Sequence, residues 1–448
     1  MTNDEKTKLN KRIKQIALPA MIGFLFSTLF NVVDSFYAGQ ISTDAIAGMT
    51  LAFPVYILLI SLANGVGSGL NALAAIAVGK NNQKEFLDLF KSALFIAIAL
   101  GIIVPFLTPW LSSIIFNIQD ADAIAITYGL RYIGTMMIGF VFFMINFTFN
   151  GILYAQGNSK PFRNFLMVAT VVNIILNPIL IHGFWIVPPL DTAGIGLATL
   201  LVQFGGSFYL LYKVLKSEWV SLEGFKKAYI NKISLLSLAH QSIPASLNIA
   251  TIALGVFVIN YFVQLYGGTS TLAAYGIAIR IEQLALVPTL GLNVAVITLV
   301  GQNFGASNFE GIYATWKRAT IGGLIIMGVG LIIIVPFAPY LIGLFDSSPA
   351  VINAGTRYLR IEALAFLSYV FLNISISMLQ GIKKPMFALW IGIYRQLLPI
   401  GLFYLLGTIL SMGIDGVWWG IVLINWTAVM LTLSYATLTL KRVREKNA

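Results

Sequence analysis

Twelve apolar runs of membrane-crossing length, separated by short polar breaks, dominate the chain. They cover approximately residues 13–39, 49–79, 92–115, 128–153, 162–182, 193–214, 237–266, 273–300, 317–344, 354–380, 386–409 and 416–439. An α-helix rises about 1.5 Å per residue, and about 20 apolar residues cross the hydrocarbon core of a bilayer. Each run therefore predicts one transmembrane helix. The runs are continuous and lack the short two-residue alternation of a membrane β-barrel. The fold class that follows is an all-α polytopic membrane protein.

The breaks between runs differ in charge. Lys and Arg gather at Lys6 to Lys14, Lys80 to Lys91, Lys160 and Arg163, Lys213 to Lys232, Lys317 and Arg318, Lys383 and Lys384, and Lys441 to Lys446. These seven clusters hold 23 of the 28 basic residues. With an even number of spans, all seven fall at one membrane face. The opposite connections carry Asp44, Asp120, Asp122, Asp191, Asp346 and Asp415. Excess Lys and Arg marks the cytoplasmic side, so both termini are expected in the cytoplasm, with the chain in the plasma (bacterial inner) membrane. The first run follows a basic segment but is too long for a signal peptide and lacks a small-residue cleavage site. It is read as a retained helix.

The second half repeats the first. Ile102-Ile103-Val104-Pro105-Phe106 recurs as Ile333-Ile334-Val335-Pro336-Phe337, and Gly69-Leu70-Asn71 recurs as Gly291-Leu292-Asn293. Gln156-Gly157 with Lys160-Pro161 recurs as Gln380-Gly381 with Lys384-Pro385, and Pro19-Ala20 as Pro244-Ala245. Four matches in the same order indicate duplication. Six spans per copy give both copies one orientation, the parallel-repeat design of some transporters. The expected organisation is an N-terminal six-helix lobe (residues 1–212), a basic cytoplasmic linker (213–236) and a C-terminal six-helix lobe (237–448) around a central cavity.

Against this apolar background, polar positions stand out. Asp34 is an acid inside the first span, where a charge costs roughly 2.5–3.5 kcal/mol at the membrane centre. It lies about five residues, roughly 8 Å, from the outer end of that span. Ser27, Asn31 and Asp34 share one helical face, which Tyr37 extends. In the fifth span Thr170, Asn173 and Asn177 form a second stripe, and Pro178, lacking an N–H, frees the Ile174 carbonyl. Asn150 and Thr199 add polar groups in the fourth and sixth spans. Such an oxygen-rich set suits Na⁺ or a proton held on Asp34; Ser27, Asn31, Tyr37 and Thr170 are then candidates to line a substrate cavity. The copy of Asp34 in the second half falls near Ile259-Asn260, where no acid exists. Arg280, Glu282, Arg357, Arg360 and Glu362, in spans eight and ten, are expected to pair with one another, while Arg395 in span eleven has no evident partner.

Composition narrows the function. The chain is 58% hydrophobic and 10% charged, with mean hydropathy +0.86. Its net charge of +11 sits in the topology clusters, so no nucleic-acid partner is expected. It has no Cys and two His, His182 and His240, near predicted helix ends. A membrane enzyme would need clustered His, Asp or Glu, and direct ATP drive would need a P-loop. Neither pattern is present, so the chain reads as a non-enzymatic carrier without a cofactor.

Taken in order, Leu18-Pro19 with Asp34 and Ala38-Gly39, Gln156-Gly157 to Pro161, Asn173 to Pro178, Gly194 to Thr199, and Val300-Gly301-Gln302-Asn303 with Gly305-Ala306 resemble a MATE-family (multidrug and toxic compound extrusion) transporter. The resemblance runs over nearly the whole length and is greatest to the DinF-like branch. It implies cation-coupled export of amphipathic, often cationic, compounds by alternating access, acting as a monomer. It maps the cation site to Asp34, Asn150, Asn173, Asn177 and Thr199, with Na⁺ as a possible ligand of Asp34, Asn173 and Asn177. Helix bending would fall at Pro19 and at Pro178. Relatives often carry Asp where this chain has Asn177, and the single remaining carboxylate favours H⁺ over Na⁺. The alternatives are a lipid-linked-saccharide flippase of the same superfamily and a major-facilitator transporter. Gly79 to Lys84 lacks the Gly-x-x-x-Asp-Arg pattern of the latter.

Overall fold

A computed structural model describes residues 3–118, 122–185 and 188–447, so Asp120 lies outside the described residues. The helices in the first half are α1 (Asn3–Ile41), α2 (Thr43–Gly79), α3 (Gln83–Ile118), α4 (Ala123–Ile138), α5 (Phe140–Ala155), α6 (Lys160–His182) and α7 (Asp191–Leu215). A short α8 (Leu222–Lys227) precedes α9 (Lys232–Gly305), α10 (Phe309–Gly343), α11 (Pro349–Gly381), α12 (Met386–Tyr404) and α13 (Ile414–Asn447). A π-helical turn, Leu405–Ile409, extends α12.

Two departures from one run per helix have local causes. α4 and α5 meet at 55° across Gly139 and form one bent span. A Cβ at Gly139 would stand 2.5 Å from Leu200 Cγ, so glycine lets α7 press against the bend. α9 has 74 residues, about 111 Å at helical rise and far longer than a bilayer is thick. Gly268 breaks it with φ 70° and ψ −173°, a conformation open essentially to glycine alone. α9 therefore supplies two spans, and among the described residues the helices give twelve crossings, as the apolar pattern predicts.

The chain forms two compact units, one of Met1–Met21 with Asn248–Ala448 and one of Ile22–Leu247. Each unit thus holds the opening turns of the other repeat's first helix. Glycines make these crossings possible. In the Ile22–Leu247 unit, a Cβ on Gly69 of α2 would meet Ser242 Oγ at 2.5 Å, and one on Gly65 would meet Ser246 Oγ at 1.9 Å. In the other unit, a Cβ on Gly291 of α9 would meet Met21 Cγ at 2.4 Å and the Ala17 carbonyl at 2.6 Å. Arg12 adds a bond there, its Nη2 donating to Gln302 Oε1 at 2.7 Å. Gly69 and Gly291 are the two copies of the repeated Gly-Leu-Asn, so that repetition preserves a backbone crossing.

Within the Ile22–Leu247 unit, Val55, Leu59, Phe140, Met144 and Ile195 belong to one apolar cluster. The basic segment after α7 is docked onto the start of α3. Lys91 Nζ donates to the Ala228 carbonyl at 2.9 Å, and the Tyr229 N–H donates to Asp88 Oδ1 at 2.8 Å. In the other unit Trp418, 2% exposed, stacks on Tyr275 and meets Tyr358 edge-on.

Candidate functional site

Asp34 lies on α1, 2% exposed, although only seven residues remain before that helix ends at Ile41. Burial follows from α6 packing along α1. Asn173 and Asn177, four residues apart, share a face of α6 and are fully buried. Both amides donate to Asp34 Oδ1 at 3.0 Å, and the Asn177 amide also reaches Asn173 Oδ1 at 3.1 Å. Thr199 Oγ1 on α7 donates to Asp34 Oδ2 at 3.2 Å. α7 comes this close because Gly194 and Gly196 let it touch neighbouring backbone: a Cβ would meet the Leu180 carbonyl at 2.7 Å and the Tyr132 carbonyl at 2.6 Å.

Hydrogen bonds to an ionised partner contribute about 1.5–3 kcal/mol each, so three of them offset part of the carboxylate's desolvation. A carboxylate offers about four acceptor positions, and Oδ2 takes a single bond here. Among the described residues, Asp34 forms no ion pair, and the buried Asn177 Oδ1 and Asn150 Oδ1 have no hydrogen-bond partner. The site therefore holds a buried negative group beside one carbonyl oxygen, Asn177 Oδ1, with spare capacity.

Other sequence-selected residues occupy defined places. Asn150, on α5, is buried but is not among the groups bonded to Asp34. Tyr37 donates its hydroxyl to the Ile174 carbonyl at 3.0 Å, taking the acceptor that Pro178 frees. Thr170 is buried and bonds the carbonyls of Leu166 at 2.9 Å and Phe26 at 3.2 Å, tying α6 to α1. Ser27 is half-buried and Asn31 exposed. Two residues that no sequence pattern singled out also belong here. The phenols of Tyr56 on α2 and Tyr132 on α4 lie within electrostatic range of Asp34, and Tyr56 faces Asn31.

In the other unit, the expected pairing among Arg280, Glu282, Arg357, Arg360 and Glu362 is not what the structure holds. Arg357 pairs with Asp415. Glu282 and Glu362 are buried, and each accepts a tyrosine hydroxyl: Tyr358 to Glu282 Oε2 at 2.9 Å, Tyr369 to Glu362 Oε1 at 3.0 Å. Helical geometry explains the correction, since residues two apart project about 200° from each other. Arg280 and Arg360 are therefore exposed while Glu282 and Glu362 turn inward. Arg395 Nε donates to Asn425 Oδ1 at 3.1 Å, and its guanidinium stands 5.3 Å from the centre of the Tyr369 ring.

The MatE family model matches the chain twice, over residues 19–179 and 244–405. The matches begin at Pro19 and Pro244, the pair that opens the internal repeat. The chain is 26% identical over 431 residues to "Probable multidrug resistance protein NorM" of Thermotoga maritima, covering 94% of this chain and 91% of that one. It is 25% identical over 429 residues to "Multidrug export protein MepA" of Staphylococcus aureus, again covering 94% and 91%. A solved outward-facing structure of a multidrug resistance MATE family transporter of the MOP superfamily aligns with TM-score 0.90 at 24% identity, over 98% of this chain and 97% of that one. A MOP superfamily transporter from Pyrococcus furiosus aligns with TM-score 0.90 at 25% identity, over 97% of each chain.

Proposed function

The chain belongs to the MatE family, whose members are transporters and not enzymes, and we propose that it is a cation-coupled antiporter exporting amphipathic, often cationic, small molecules. The relatives named for multidrug resistance and export support the substrate class. The observation that carries the coupling assignment is Asp34: a buried carboxylate held by three neutral donors, with no ion-pair partner among the described residues. An uncompensated buried charge costs several kcal/mol. The state that closes over this group therefore needs a mobile cation, and the orphaned Asn177 carbonyl, on a side chain bonded to Asp34, supplies an additional oxygen for one.

H⁺ is the proposed coupling ion, with Na⁺ the alternative. A proton arriving from outside bonds a carboxylate oxygen of Asp34 and removes its charge; departure to the cytoplasm restores the charge. The cation and the exported molecule exclude each other, so the inward flow of one drives the outward movement of the other. The assignment to the DinF-like branch, the lobes at 1–212 and 237–448 with the 213–236 linker, the cytoplasmic termini and the monomeric state belong to this reading. The positive clusters on one side support the orientation.

Dye efflux from proteoliposomes, with pH and Na⁺ gradients imposed separately, tests the proposal. Efflux driven by the pH gradient alone is the expected result. Drive by Na⁺ alone would replace the ion, and a response to neither would overturn coupled export in favour of a flippase.

A further inference from the structure

In the Asn248–Ala448 unit, which also includes Met1–Met21, three helix ends surround a cavity of about 750 Å³. They are the start of α1, the start of α10 and the end of α13. Five basic side chains line it, Lys6, Lys317, Arg318, Lys441 and Arg444, against one acid, Glu310. Lys441 stands 4.0 Å from Glu445. Among the described residues, the other four cations and Glu310 form no ion pair.

A topology signal needs positive charge on one side of the membrane but no concavity and no aromatic wall. This site has both. The Trp316 ring is 8% exposed and fixed by its Nε1–H donating to Ser375 Oγ of α11 at 3.0 Å. Tyr313, half-exposed, meets it edge-on with centroids 6.1 Å apart. Tyr and Trp favour the headgroup level of a bilayer. Below the charges the lining turns apolar at Ile321, and Ile325, Val329 and Ile332 carry an exposed apolar stripe onward along α10. Cations above and an apolar track below match a molecule with an anionic head and an alkyl tail.

We propose that this cavity is a binding site for an anionic phospholipid of the leaflet at the basic face, its phosphate among Lys317, Arg318 and Arg444 and an acyl chain along Ile321 and Ile325. Basic pockets between transmembrane helices on the cytoplasmic side suit such headgroups. A free phosphate would use the cations and leave the apolar wall unoccupied. The site is separate from Asp34, which lies in the other unit.

The test is native mass spectrometry of the full chain in detergent, titrated with phosphatidylglycerol, phosphatidylcholine and inorganic phosphate. Phosphatidylglycerol should be retained, phosphatidylcholine should bind far more weakly, and phosphate should fail to displace the lipid. Replacing Lys317 and Arg444 by Gln should weaken phosphatidylglycerol binding about five-fold per cation removed. The control Lys226→Gln with Lys227→Gln removes equal charge from α8 and should leave binding unchanged. Equal loss in both variants would reduce the effect to bulk charge, and full displacement by phosphate would make the site one for free anions. Either result overturns the proposal.

Discussion

Replacing Asp34 by Asn and by Leu separates the carboxylate's charge from its structural role. In Asp34→Asn, the side-chain oxygen still accepts from Asn173 and Asn177, both 3.0 Å away in the wild type. The new amide faces Thr199 Oγ1, at 3.2 Å in the wild type, a hydroxyl able to accept instead of donate. All contacts persist with one bond reversed, so stability should change by less than about 1 kcal/mol. In Asp34→Leu, the Asn173 amide and the Thr199 hydroxyl lose their acceptor, while Asn177 keeps Asn173 Oδ1 at 3.1 Å. Two buried groups left unsatisfied cost about 1–3 kcal/mol each, or about 2–6 kcal/mol together, reduced by not burying a charge. Denaturation midpoints in detergent report stability, and gradient-driven dye efflux reports coupling. Asp34→Asn should unfold with the wild type yet fail to export against a gradient, and Asp34→Leu should lose both. Uphill export by Asp34→Asn, or equal destabilisation in the two variants, would rule out this separation of roles.

Three further outcomes follow from the geometry. Gly69→Ala should destabilise by about 1–3 kcal/mol, the usual cost of overpacking, because its Cβ would sit 2.5 Å from Ser242 Oγ and 3.0 Å from Ser242 N. Gly276→Ala, with nothing within 4 Å, should be neutral or stabilising through helix propensity; similar midpoints for the two would contradict the crossing. Asn177→Asp places a second carboxylate against Asp34 and should raise the Na⁺ dependence of efflux, measured as the Na⁺ concentration for half-maximal rate; an unchanged dependence would remove Asn177 from the cation site. Glu362→Gln keeps an acceptor for the Tyr369 hydroxyl and should unfold no earlier than the wild type, whereas Glu362→Leu removes the acceptor at 3.0 Å and should lower the denaturation midpoint; a large loss in the Gln variant would assign the negative charge a structural role.

The apolar runs made the crossings legible because membrane length and continuous hydrophobicity are read directly from composition. The Gly267-Gly268-Thr269-Ser270-Thr271 gap separated the runs 237–266 and 273–300, but composition could not show that helix continues on both sides of it with the backbone broken only at Gly268. The bend at Gly139 escaped because the neighbour that requires glycine there, Leu200, comes from another helix. At the site, Asn173 and Asn177 were legible through helical spacing, and Asp34 through its cost in an apolar span. Pro178 announced a free carbonyl, but its taker, Tyr37, comes from a helix more than a hundred residues away in sequence. Tyr56 and Tyr132 were invisible because aromatics are common throughout the chain and nothing local sets these two apart. Glu362 and Tyr369 lie seven residues apart, about two turns along the same face of span ten, yet that spacing did not single out their bond over a pairing with arginine.

In the proposed mechanism Asp34 exchanges its cation when an exported molecule binds. Purified protein mixed with an amphipathic cationic dye in weakly buffered solution, with a pH indicator present, measures this directly. Cation exchange at Asp34 requires proton release on dye binding in the wild type, and none in Asp34→Asn although that variant still binds dye. Equal release from both proteins, or binding with no release at any pH and in the presence or absence of Na⁺, would contradict it.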